Sequence, residues 1–159
     1  MQTLKTGLSI ALAAGAVTGC ALFQRHDQTT VQIHEQVSSA LPAENKLIVD
    51  IPKADLKLAV SPFATLSERD VHAASLYDTA GGKEILLQFD VHGTFVLDEC
   101  TTRNRGQYLV TFINNRPVAA WLVNQRILNG QFLIEGDFSD EEARQVVDAL
   151  NRMAKKNRQ

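Results

Sequence analysis

The chain has 159 residues, 45% hydrophobic and 21% charged, a balance that suits one globular domain with its own core and argues against disorder throughout. A formal net charge of -2 supplies no basic field, which excludes nucleic acid as an expected partner. The 2 cysteines are Cys20 and Cys100. A disulfide framework is therefore not expected, nor, lacking any later apolar run of about 18 residues, is a further membrane span.

The first recognisable element is a targeting segment. Lys5 precedes the apolar stretch Leu8 to Gly19, and no acid occurs before Asp27. This is the layout of a secretory signal peptide. Its apolar core is too short to cross a bilayer, which takes about 20 residues. The ending Val17-Thr18-Gly19-Cys20 resembles a bacterial lipobox, in which cleavage falls before the cysteine and the thiol is diacylated. Residues 1–19 are thus expected as a lipoprotein signal peptide, Cys20 as the acylated residue, and 20–29 as a polar tether. A flexible segment of that length reaches roughly 15–20 Å. Ala21 stands where an inner-membrane retention signal would have Asp, which implies an outer-membrane anchor facing the periplasm.

The folded domain is expected over 30–154, with 155–159 as a basic tail. Val31 to Glu35 alternates apolar and polar as a half-buried strand should. Leu47 to Ile51 and Leu56 to Val60 flank Pro52-Lys53-Ala54-Asp55 and read as a hairpin, ended by Ser61-Pro62. Leu66 to Asp70 suits a turn or one helical turn capped by Ser67. Val71 to Tyr77, the turn Ala80-Gly81-Gly82-Lys83 and Glu84 to Val91 form a second strand pair, its last strand apolar enough at the centre to be well buried. His92 to Arg105 changes to helical period, with Cys100 on its inner face and Gly106 suited to the left-handed C′ position. Gln107 to Ile113 and Val118 to Val123 are strands about Asn114-Asn115, a pair that tolerates a type I′ turn. Asn129-Gly130 turns into Phe132-Leu133-Ile134.

The final helix carries the strongest local signal. Ser139-Asp140-Glu141-Glu142 is a capping box, with Glu142 expected to reach back to the Ser139 amide. Ala143, Val146, Val147, Leu150 and Met153 form a stripe at helical spacing that should cover the sheet.

The residues that could carry chemistry do not assemble into a catalytic set. His26, His34, His72 and His92 have no metal-ligand spacing and read as exposed or interface histidines, so no metal or cofactor is expected. No nucleophile elbow, P-loop or dinucleotide fingerprint occurs, and the Asp137, Asp140, Glu141, Glu142 cluster is explained by capping. Cys100 is expected as a buried, inert thiol. Trp121 is either a core anchor or an exposed binding residue.

In the second half, Thr101-Thr102-Arg103-Asn104-Arg105-Gly106, the strand pair about Asn114-Asn115-Arg116-Pro117, and Ile127 to Ala143 resemble, as an ordered set, the SecD family. The similar region there is the head subdomain of the large periplasmic domain of the Sec translocon accessory protein. The likeness covers about 84–150 and more loosely 30–83. Asn114-Asn115 replaces the usual Asp-Gly, and Trp121 stands where the family tends to have Pro. The resemblance implies a single α+β domain, mainly antiparallel sheet with two principal helices packed on it. It also implies contact with exported polypeptides or envelope proteins without catalysis, with Trp121, Asn114 and Asn115 as candidate partner-binding residues. A small-ligand-binding lipoprotein and a purely structural envelope lipoprotein are the alternatives.

Overall fold

The computed structural model describes residues 29–157, so the signal peptide, Cys20, His26 and nearly all of the expected tether lie outside the described residues. The fold is the expected α+β domain, but its strands divide into three sheets. The first is antiparallel in the order β4 (Leu66–Ser67), β1 (Val31–Glu35), β7 (Tyr108–Ile113), β8 (Arg116–Leu122). The second is the hairpin of β2 (Leu47–Ile51) and β3 (Leu56–Val60). The third has the order β5 (Val71–Thr79), β6 (Gly82–Phe89), β9 (Gln131–Ile134).

The division follows from which faces are apolar. In β7, Leu109 and Ile113 face the main core, while Val110 and Phe112 face the β2–β3 hairpin and pack with Val49, Ile51, Leu58 and Val60. A strand buried on both faces needs a continuous apolar run, which Leu109 to Ile113 supplies with Thr111 as its one polar member. Pro117 is tolerated in β8 because β8 is an edge strand, and the register shifts beside it, between Thr111 and Phe112. At the β7–β8 turn, Asn114 and Asn115 adopt φ of 51° and 63°, the left-handed pair that a type I′ turn requires.

Helix α2 (Asp140–Asn157) lays Ala143, Val146, Val147 and Leu150 over Ala74, Ile85 and Leu87. It runs through Lys155 and Lys156, into the segment expected as a tail. Its Asn151 both accepts from the Ala74 N–H (2.9 Å) and donates to the Ala74 carbonyl (2.8 Å), which seals the outer edge of β5 against further pairing. The capping box is half formed. Ser139 Oγ accepts from the Glu142 N–H (3.1 Å), but the Glu142 carboxylate is drawn to Arg116 at 2.6 Å, where a full positive charge outcompetes an amide. A complete box forms instead at Ser67, with Asp70 as its carboxylate.

Helix α1 (Val91–Arg103) crosses from the end of β6 to the start of β7, with Asp90 as its N-cap. It ends earlier than the sequence suggested, at Asn104, whose backbone and side-chain N–H groups both reach the Cys100 carbonyl. Gly106, at φ 82°, is therefore one position beyond C′. Among the described residues, no helix is long and apolar enough to cross a membrane.

Candidate functional site

The strands β8 and β9 meet at one end and part at the other. Among the described residues, their backbones are joined at the Asp137 N–H, which donates to the Val118 carbonyl (2.9 Å), with the Arg116 side chain donating to the Asp137 carbonyl beside it (2.7 Å). Beyond it, each strand keeps a backbone edge turned toward the gap. Val123 exchanges hydrogen bonds with the Gly106–Gln107 segment, so alternation turns the N–H and C=O of Ala120 and Leu122 away from β7. Phe89 donates to the Gly130 carbonyl, so the same alternation turns the backbone of Gln131 and Leu133 away from β6. The Gln131 N–H is taken by Asn129 Oδ1 (3.1 Å). Among the described residues, no hydrogen bond uses the outward groups of Ala120, Leu122 or Leu133.

Beside these edges lies an open groove of about 510 Å³, walled by Leu86, Trp121, Ile127, Leu128 and Leu133. Trp121 is half-buried and meets Phe132 edge to face, with ring centroids 5.7 Å apart. Trp121 packs on the core cluster and also lines the groove. Arg126, on the groove wall, forms a two-nitrogen pair with Asp98 of α1. Its hydrogen bonds hold the Asp98 carboxyl below the usual carboxylate range.

The other expected partner-binding residues lie elsewhere. Asn114 clasps the entry to β1, accepting the Thr30 N–H on Oδ1 (3.1 Å) and donating its own N–H to the Thr30 carbonyl (3.0 Å). The 114–115 turn and Trp121 therefore occupy opposite ends of β8.

A second constellation surrounds Glu35. Its carboxylate accepts from Arg103 (2.7 Å), Asn104 (2.8 Å) and Thr65 (2.9 Å), with the Cys100 thiol at 3.5 Å. Burial pulls the Glu35 carboxyl upward, but the bonds from Asn104, Arg103 and Thr65 outweigh it and hold the group below its ordinary value. Burial, then the Glu35 charge, push the fully buried Cys100 thiol up to about 12, so no thiolate forms near neutrality. These groups tie α1 to β1. Sequence reasoning placed the thiol on the inner face but did not find its partners, because Glu35 is far from it in the chain.

His34 corrects the expectation of exposed or interface histidines. It is 4% exposed, stacks against Phe112 with ring centroids 4.7 Å apart, and places Nδ1 2.8 Å from the Ser61 carbonyl. The apolar contact on β7 gives it a core position that the alternation of β1 alone did not distinguish. His72 and His92 are exposed. Among the described residues, no group of three or more His, Cys, Asp or Glu side chains is placed to hold a metal ion. A further open cleft of about 530 Å³ lies where Lys53, the β5–β6 turn and the start of α2 converge. Lys53 there donates to the Gly136 carbonyl (3.1 Å).

Comparison with known proteins places this geometry in a family. The model of the SecDF P1 head subdomain matches residues 46–154. The protein translocase subunit SecD of Rickettsia bellii is 30% identical over 74 residues, which is 46% of this chain and 14% of that protein. The SecDF of Thermus thermophilus is 32% identical over 78 residues, 49% of this chain and 11% of that protein. The chain thus spans only a small part of these relatives. A solved structure of SecDF, described as a membrane component that enhances protein export, superposes with a TM-score of 0.60 at 23% identity, over 78% of this chain and 62% of that one. SecDF in a super-membrane-facing form gives 0.60 at 22% identity, over 78% and 19%. With the family model covering well over half of its residues, the chain belongs to the SecDF P1 head family.

Proposed function

We propose that this protein is a lipid-tethered module of the bacterial envelope, acylated at Cys20 and facing the periplasm from the outer membrane. In this reading it takes part in protein export, non-catalytically, by holding an extended stretch of an exported polypeptide along the β8 and β9 edges. Membership of the SecDF P1 head family supports the link to export. The observation that carries the binding mode is the pair of edges beside Trp121 whose outward backbone groups at Ala120, Leu122 and Leu133 have no partner among the described residues. Such edges take an added strand through main-chain hydrogen bonds, and Leu86, Trp121 and Leu133 in the adjoining groove offer apolar contacts to alternate side chains.

A photo-crosslinking amino acid at Trp121, in cells stalled during export of a secretory reporter, tests the binding. Adducts with the reporter are expected at Trp121 and not at Asp148, which is exposed on the outer side of α2. Equal yields at both positions refute the site. The tether is tested separately. Cys20→Ser should release a folded head into the soluble periplasm, because stable anchoring needs more than one acyl chain. Ala21→Asp should move the protein to the inner-membrane fraction, and an unchanged fraction refutes the sorting.

A further inference from the structure

We propose that the polypeptide held at the β8–β9 edges continues past the start of β9 onto a second half-site, formed by Val91 and Phe95 of α1 and Leu128 of the adjoining loop. The proposal rests on the strand-edge function above and adds the length and side-chain pattern of what binds.

Val91 is 90% exposed, Phe95 66% and Leu128 64%. Val91 and Phe95 lie one helical turn apart on the same face of α1. The loop beside them runs along the helix in the opposite sense. Arg126 is held on Asp98, the Ile127 N–H donates to Thr101 Oγ1 (3.0 Å), and Gly130 lies against Thr94. Leu128 is carried between these fixed points. It lines the groove beside Trp121, and its neighbour Ile127 is bonded to α1, so exposed apolar side chains continue past the start of β9.

Gly130 makes the junction. At φ 67°, its backbone approaches so closely that a Cβ would fall 2.1 Å from Thr94 Oγ1 and 3.2 Å from Gln88 Nε2. Thr94 and Gln88 in turn line a second open cleft of about 420 Å³, with His72, Phe89, Asp90 and Val91. The two clefts therefore abut across Gly130, and a chain leaving one enters the other.

The occupant is identified by the groups it must satisfy. Unpaired N–H and C=O groups along β8 and β9 call for a peptide backbone, which an acyl chain does not supply. The half-site is also directed away from the chain's entry. Thr30 is clasped at the 114–115 turn, the opposite end of β8 from Trp121. Pairing with β9 (4 residues) engages a short stretch of the partner, and contact with Phe95 as well requires a longer one. Alternate side chains should be apolar, since every second one faces Leu86 and Leu133.

The test uses dye-labelled peptides alternating leucine and serine, of five and ten residues, titrated with the purified full chain by fluorescence anisotropy. The ten-residue peptide should bind about tenfold more tightly than the five-residue one. Val91→Ser with Phe95→Ser should remove that advantage and leave the short peptide unaffected, whereas Trp121→Ala should weaken both. Both serine substitutions are at exposed positions, and an unchanged thermal melt confirms the fold. Equal affinity of the two peptides, or a length advantage that survives the double substitution, overturns the second half-site while leaving the strand edges standing. Binding of neither peptide overturns both, as would sedimentation showing that a second copy of the chain occupies the edges.

Discussion

Replacing Glu35 by Gln isolates the charge at the centre of the clamp between α1 and β1. The carboxylate is 16% exposed and accepts three hydrogen bonds of 2.7, 2.8 and 2.9 Å from Arg103, Asn104 and Thr65. Glutamine keeps the shape, but replaces an ionised acceptor by a neutral carbonyl and an amide donor facing other donors. Hydrogen bonds to charged groups contribute about 1.5–3 kcal/mol, and Asn104 is too buried to recover its loss from water. The substitution should therefore cost about 2–3 kcal/mol at pH 7. For a domain of this size that lowers the melting temperature by roughly 6–12 °C, taking about 3–4 °C per kcal/mol. The pH dependence has a definite sign. The folded-state pKa of Glu35 lies below its ordinary value of 4.5, so its stabilisation is full above that value and disappears as pH falls through the folded-state pKa. Circular-dichroism melts should show a constant gap between wild type and Glu35→Gln from pH 8 to about 5, closing below about 4.5. Equal melting at pH 7, or a gap unchanged at pH 3, refutes the clamp.

Three further outcomes follow from the packing. Leu150→Ala, at a position 1% exposed under α2, should cost about 2–5 kcal/mol in a urea melt. Cys100 should resist maleimide at pH 8 until the protein unfolds, since its thiol is fully buried and titrates at about 12; labelling at the rate of a free thiol in native buffer would show the site to be open. Gly130→Ala meets Thr94 at 2.1 Å in a left-handed backbone and should destabilise by more than the roughly 1 kcal/mol typical of Gly→Ala at positive φ, whereas Gly106→Ala meets nothing within 4 Å and should cost only the backbone term.

Much of the fold is written in local chemistry. The four residues between Ile51 and Leu56 close the first hairpin with every pair in register, and Asn114-Asn115 takes the left-handed turn its side chains tolerate. The stripe on α2 is buried as its spacing requires. What failed locally did so where a distant charge intervened, as when Arg116 took Glu142 from its cap. The three-sheet division was hidden for a similar reason. It depends on β9 pairing with β6, from Gln88 opposite Gln131 onward, and not with β8, its neighbour in sequence.

The candidate site was hidden by that same pairing, yet it left a trace. Helix α2 packs on the face of the third sheet that carries Ala74, Ile85, Leu87 and Ile134. A strand covered on one face should alternate, and β6 does not, because Ile85-Leu86-Leu87 is apolar throughout. From the sequence that run suggested a well-buried strand. In the structure Leu86 lies opposite Leu133 on the uncovered face, where the two form the floor of the groove beside Trp121. The surplus of hydrophobicity over what the fold needs is the signal. Leu86 and Leu133 are half-buried and lie outside both core clusters, so replacing both by Thr, a good strand former, should cost less stability than truncating a core leucine. The same pair of substitutions should abolish peptide binding at the β9 edge. Loss of stability by several kcal/mol would instead make them core residues, and the groove a packing defect.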